Sequence, residues 1–475
     1  MTPVVYTSED MGESRWVAFV RNKLARYIVP AILTLWLLLL AAAAFVAPDM
    51  VMKLNMMALG LAVGMAILMF PGTFLVLVVF SLLLNPENFL FTSKWAAEHF
   101  PTMEIQSLHK FVVLGAFIPP IVRYGIRPVM NYGIAAIFLM AALTFVASTP
   151  YPGLTPMQTV KSLVGLALPF ALFNMKLQRK WIDGHLAFIA VFPLISLFLG
   201  LMGEIFGLRN VIGYPWHVVS LEFTGAQRLA GINIPAYLAF YCYISFFVCL
   251  YEAIALKRRG FYVLGGITLL ILVFTGTRTP SVCAILMAGI GIFFSSGRDL
   301  RGSSKFVVSV LGITFLAGIL ALYWPELQTR MTGHDSDPNA IVNTSGRAGM
   351  WAYLMGIYEV NQIFGRGLGT GAIALLDVDD PSFGTAAHNE YIRLLVDGGI
   401  VGLISYITGL VALLIQEGRF LNRTQGVFIT ALFVSFALYS FTDNTISSPP
   451  AVVLFYAVAL VMAKARYERS ANRRA

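Results

Sequence analysis

The run AAHNEYIRLLVDGGIVGL, Ala386 to Leu403, decides how this chain folds. Before it lies a polar stretch, residues 325–387, with several arginines, aspartates and glycines. After His388 the chain stays apolar for long enough to cross a bilayer, which takes about 20 residues of helix. His388 therefore stands where a helix bundle in lipid meets water.

Reading outward from that point, apolar runs of helix length recur along the whole sequence. They fall at 27–47, 50–70, 72–85, 108–124, 131–147, 158–175, 186–206, 233–256, 261–276, 280–296, 306–324, 388–415, 426–442 and 447–464, which gives about 12–14 spans. Composition agrees: 58% of the residues are hydrophobic, only 12% are charged, and mean hydropathy is +0.77. Soluble domains carry about a quarter charged residues. The expected fold is an all-α polytopic membrane bundle, 1–324, a large external loop, 325–387, and the last spans with a basic tail, 388–475. No sizeable water-soluble domain is left to hold an active site, so any chemistry belongs to the bundle or its loops.

The formal net charge of +9 is explained by topology rather than by nucleic acid. Basic residues sit in alternate short connections: Arg123 and Arg127, Lys176 to Lys180, Lys257 to Arg259, Arg298 to Lys305, Arg419 and Arg423, and the tail from Lys464. That is the positive-inside pattern. With the N-terminus inside, residues 86–107, 148–157, 207–232, the turn near Arg278, 325–387 and 443–446 lie outside. Cys242, Cys249 and Cys283 all fall in apolar spans and give no disulfide or zinc framework. The segment AAAAFVAP after the first apolar run resembles a cleavage site, but its leader is long, which favours an uncleaved first helix.

Within the external loop, GRAGMWAYLMGIYEV (346–360) places Met350, Trp351, Leu354, Ile357 and Tyr358 on one stripe of an amphipathic helix. Asn343, Thr344 and Ser345 offer it a cap. His388 invites two readings: a polar residue at a helix start, or a general base at the membrane surface, since imidazole titrates near neutrality. Taken as helical, the run would put Gly399 on the same face, about 16 Å away, with Gly398, Gly399 and Gly402 admitting a neighbouring helix.

Arg278, in FTGTRTPSV, breaks two apolar spans on the side where the positive-inside pattern gives it no support. Arg228, in TGAQRLAGINIP, and Arg347, in TSGRAGMW, are external too and flank helix starts. Three such arginines beside a histidine point to an anionic headgroup site, because guanidinium forks suit phosphate. Glu222, Asp443 and Asn389 are candidates to orient the histidine or an acceptor. GRGLGTG (365–371) lacks a preceding strand and is not a nucleotide loop. DVDDP (377–381) reads as a solvated turn in preference to a cation site.

SGRAGMWAYL, IFGRGLGTG and HNEYIRLLVDGGIVGL together resemble the bacterial O-antigen ligase and polymerase superfamily, and GTRTPSV and RLAGINIP resemble its upstream arginine segments. The likeness covers about residues 228–405. It implies a GT-C-like membrane glycosyltransferase of the bacterial inner membrane, its site facing the periplasm. The donor would be a glycan on undecaprenyl pyrophosphate. Arg228, Arg278 and Arg347 would hold the pyrophosphate and His388 would deprotonate the acceptor, with inversion and without metal or cofactor. The sequence leans to a polymerase of surface or exopolysaccharide repeat units. The alternative is a ligase whose acceptor is lipid A-core. A flippase is a more distant reading, since no internal repeat is visible and the candidate residues lie at one face.

Overall fold

The computed structural model describes residues 121, 125–127, 131–177, 179–206, 218–221, 227–295, 347–376, 378, 386–446, 448 and 450–472. The spans expected at 27–47, 50–70, 72–85 and 306–324 lie outside them, as does 108–124 apart from Ile121; so do the cap at Asn343 to Ser345 and the acidic turn at Asp377 and Asp379.

Among the described residues the protein is an all-α membrane bundle. In chain order its helices are α1 (Tyr132–Ala147), α2 (Pro156–Ala171), α3 (Arg179–Ile205), α4 (Pro235–Leu250), α5 (Gly260–Phe274), α6 (Arg278–Phe294), α7 (Arg347–Tyr358), the single turn α8 (Thr370–Ile373), α9 (Glu390–Gly418), α10 (Arg423–Ser440) and α11 (Pro450–Asn472). Five of the helical stretches are long and apolar enough to cross a bilayer, and α1, α5 and α6 are shorter apolar helices. Each expected span from 131 onward, 306–324 aside, has its helix. Two short antiparallel strands, β1 (Val219–Leu221) and β2 (Gln227–Leu229), interrupt the connection between α3 and α4.

Local chemistry sets the helix starts. Asn131 accepts from the Ile134 N–H, and Thr155 and Asn422 form reciprocal capping boxes with Gln158 and Gln425. Pro156 and Pro235 take first-turn positions, where a missing N–H costs nothing. α4 is enclosed along nearly its whole length, so Cys242 and Cys249 face protein and not lipid. Its aromatic side chains interlock with those of α10: Phe240 meets Tyr439 edge-on at 5.1 Å, and the Tyr243 hydroxyl donates to Leu432 O at 3.0 Å.

The bundle has two polar ends. At one, Arg127 and Arg466 both reach Glu417, while Arg258 and Lys464 both reach Asp183. Arg127, Arg258, Lys464 and Arg466, all of them assigned to one side by charge alternation, lie here. At the other end lie the turn after α5, the start of α9 and the connection between α10 and α11.

α9 corrects one expectation. His388 stands immediately before the helix, one of the two positions expected for it: its φ is +48°, and Asn389 is the cap, its Oδ1 accepting the Tyr391 and Ile392 N–H groups at 3.0 and 3.1 Å. The helix is then broken at Gly399, with φ 65° and ψ −164°, a conformation open essentially only to glycine. A continuous helical face linking His388 to Gly399 therefore does not exist. Gly398 and Gly402 do receive a neighbouring helix, α1, through Met140. At Gly399 the close neighbour is instead the backbone of Ile363 and Gly365.

This break explains the glycine-rich stretch. In an unbroken helix the N–H groups of Ile400 and Val401 would bond to Val396 O and Asp397 O. Here they donate to Gln362 O and Ile363 O at 2.9 and 3.1 Å, while Val396 O and Asp397 O accept from Arg366 N and Gly367 N at 2.8 and 3.1 Å. Four bonds thus replace two, and these four N–H and four C=O groups are satisfied where bare backbone would be costly. Arg366 locks the segment further, donating to Thr149 O at 2.7 Å and covering the Tyr151 ring.

Candidate functional site

The amphipathic helix expected at 346–360 is α7. Met350 and Leu354 are buried in a small core with Ala374, Leu375, Ala387 and Val396, and Trp351, Ile357 and Tyr358 are half-buried beside them. The Trp351 indole N–H donates to Ala387 O at 2.8 Å, so α7 holds the residue just before His388. The left-handed backbone of His388 costs about 1–2 kcal/mol, and such strain gathers at functional sites.

The imidazole meets the connection between α10 and α11. His388 Nδ1 lies 3.1 Å from Asp443 Oδ1, and the two side chains are 33% and 25% exposed. The His388 backbone N–H donates to Asn444 Oδ1 at 2.8 Å. Both backbone and side chain of His388 are therefore held by two consecutive residues. Burial alone would raise the Asp443 carboxyl, but the hydrogen bond and charge of His388, the Asn444 N–H and the nearby Arg347 charge hold it below the usual carboxylate range. With Nδ1–H directed at Asp443, Nε2 carries the lone pair.

The three expected arginines reach the same end of the bundle. Arg347 Nη1 donates to Thr442 O at 2.5 Å, one residue from Asp443. Thr442 Oγ1 donates to Thr279 Oγ1 at 2.9 Å, tying this connection to the first turn of α6, which Arg278 begins. Arg228, on β2, donates from Nε to Thr275 O at 2.7 Å and from Nη2 to Thr277 Oγ1 at 2.6 Å, in the turn just before Arg278. One run of hydrogen bonds and short chain segments thus joins Arg228, Arg278, Arg347, Asp443 and His388.

Asp443 was a sequence candidate to orient the histidine, and the structure sets it against the ring. Asn389, 1% exposed, uses its side-chain oxygen to cap α9. Glu222 lies outside the described residues. Asn444 and the Trp351 contact gave no local signal, because each depends on a partner far away in sequence. Glu390, Arg393 and Asp397 did carry one: successive steps of three and four residues are those of a helical ion-pair chain, and they form it in the buried first turns of α9.

Residues 263–407 match the family described as O-Antigen ligase. This chain carries an O-antigen ligase domain. The domain runs from α5 through the break in α9 and includes Arg278, Arg347 and His388; Arg228, Asp443 and Asn444 lie beyond its limits. No curated protein matches the chain. The family places the protein among membrane enzymes of the ligase and polymerase type that process lipid-linked glycans.

Proposed function

We propose that this protein is an inverting glycosyltransferase that moves glycan from undecaprenyl pyrophosphate to an acceptor hydroxyl at the external face of the membrane. The observation that carries this reading is the contact of His388 Nδ1 with Asp443, 3.1 Å, beside the Arg347 guanidinium. Asp443 fixes the tautomer and stabilises the imidazolium; Nε2 takes the acceptor proton. The acceptor oxygen bonds to the anomeric carbon as the bond from that carbon to the pyrophosphate oxygen breaks. Charge developing on the leaving pyrophosphate is met by Arg278, Arg228 and Arg347, with the N-terminus of α6 adding its positive end. Guanidiniums held beforehand by Thr275, Thr277 and Thr442 need little reorganisation during the step.

The acceptor we propose is another glycan repeat unit, making the enzyme a polymerase of surface polysaccharide. The family description favours a second reading, a ligase whose acceptor is a sugar of the lipid A core. Deleting the gene and sizing surface glycans separates them. Single repeats left on the core mean a lost polymerase; bare core with accumulated lipid-linked polymer means a lost ligase. The catalytic reading is tested with purified His388→Ala: transfer from lipid-linked glycan should vanish in folded protein, and transfer at the wild-type rate refutes it.

A further inference from the structure

His388 and Asp443 are 55 positions apart and meet across two separate segments, so something must hold those segments in register. Glu390, two residues after His388, is fully buried and donates nothing; it accepts. Its Oε1 takes the backbone N–H of Ile446 at 2.9 Å, and its Oε2 takes Arg393 Nε at 2.5 Å. Arg393 Nη1 donates in turn to Asp397 Oδ2 at 3.3 Å, and Asp397 Oδ1 accepts the Gly371 N–H at 2.7 Å. The segment from Asp443 to Ile446 is therefore clasped twice by the start of α9, once through His388 and once through Glu390.

A buried set of two carboxylates and one guanidinium adds little net stability over an apolar packing, because desolvation offsets the attraction. Its value is geometric: each carboxylate joins two groups and so fixes their spacing. The set also links the connection bearing Asp443 to the glycine-rich segment that braces the break in α9.

From this geometry we infer that Glu390 is a positioning residue for glycan transfer, holding the 443–446 segment so that Asp443 keeps its place on the His388 ring. The inference rests on the reading of His388 as base. It is distinct from the helix-capping work of Asn389 and needs no contact between Glu390 and substrate.

The test uses the full chain in lipid nanodiscs, with lipid-linked glycan as donor and rates expressed per folded molecule. Glu390→Ala should lower kcat roughly tenfold or more, on the scale at which displaced catalytic groups lose up to about 100-fold, while KM stays within about threefold. Glu390→Gln keeps one oxygen where Glu390 uses two, so it should fall between alanine and wild type. In an Asp443→Ala background, Glu390→Ala should cost less than about threefold more, since the group it positions is gone. Unchanged kcat per folded molecule in Glu390→Ala overturns the inference. So does a full, additive loss in the Asp443→Ala background. Should Glu390→Ala fail to fold, the glutamine variant carries the same comparison. Wild-type transfer by His388→Ala would instead remove the base reading itself, whatever Glu390 does.

Discussion

Replacing Asp443 by alanine isolates what the carboxylate does for His388. The pair is a charge-assisted hydrogen bond at 3.1 Å once the ring is protonated. Such bonds contribute about 1.5–3 kcal/mol. Water reaches both partners, at 33% and 25% exposure, so screening favours the lower part of that range, about 1.5–2 kcal/mol. The imidazolium forms only as the proton moves, so the loss falls on the transition state and hence on kcat. At 1.36 kcal/mol per decade, kcat should drop roughly 10- to 30-fold, with KM for the lipid-linked donor little changed. Asp443→Asn should lose at least as much, because its amide N–H can face Nδ1 and leave the proton on Nε2. Steady-state transfer by the purified variants measures both constants. An alanine variant with kcat within threefold of wild type, or one whose loss lies wholly in KM, refutes the assignment of Asp443 as the partner of a catalytic base.

The other expectations concern separate features. Arg347→Lys keeps the charge but loses the fork that donates to Thr442 O and, on the proposed reading, would also grip the pyrophosphate; KM for the donor should rise about tenfold, the size of one charge-assisted bond, and an unchanged KM argues against pyrophosphate contact. Gly399→Ala must place a methyl 2.3 Å from Ile363 O in a positive-φ conformation; destabilisation of about 3 kcal/mol or more is expected, seen as a lower thermal midpoint and poor monodisperse yield. Because the folded-state pKa of Asp443 is depressed, its stabilisation is complete above its unfolded value of about 3.9 and is lost as pH falls through the lower folded value. Asp443→Ala should therefore flatten the acid limb of thermal stability below about pH 4, and an acid limb identical to wild type counts against the pairing.

The spans were legible because a bilayer makes length and hydropathy nearly sufficient: the runs at 131–147, 233–256 and 426–442 correspond to α1, α4 and α10. Charge alternation grouped Arg258, Lys464 and Arg466 together, and among the described residues these share one end with Glu417 while His388 lies at the other. The arginines and histidine were visible as charges with no topological excuse. What sequence hid was contact between distant segments. Gly398-Gly399 reads equally well as a packing notch or a break, and only the backbone of Gln362 to Gly367 decides between them. Whether His388 stands before the helix or in its first turn is open from sequence, because the capping role of Asn389 beside it is not registered by periodicity. The Glu390, Arg393, Asp397 spacing was there to be read, but its meaning depends on Ile446 and Gly371.

The four bonds across the break in α9 also set where this protein tolerates changes of chain length. They pair 362 with 400, 363 with 401, 366 with 396 and 367 with 397, so their offsets are fixed. One residue inserted or deleted between Gln362 and Gly367, or between Val396 and Val401, shifts a donor past its acceptor and exposes bare backbone to an apolar interior. Relatives of this chain should therefore hold length constant in both intervals, and a randomised insertion library scored for membrane-inserted protein should be depleted of insertions there.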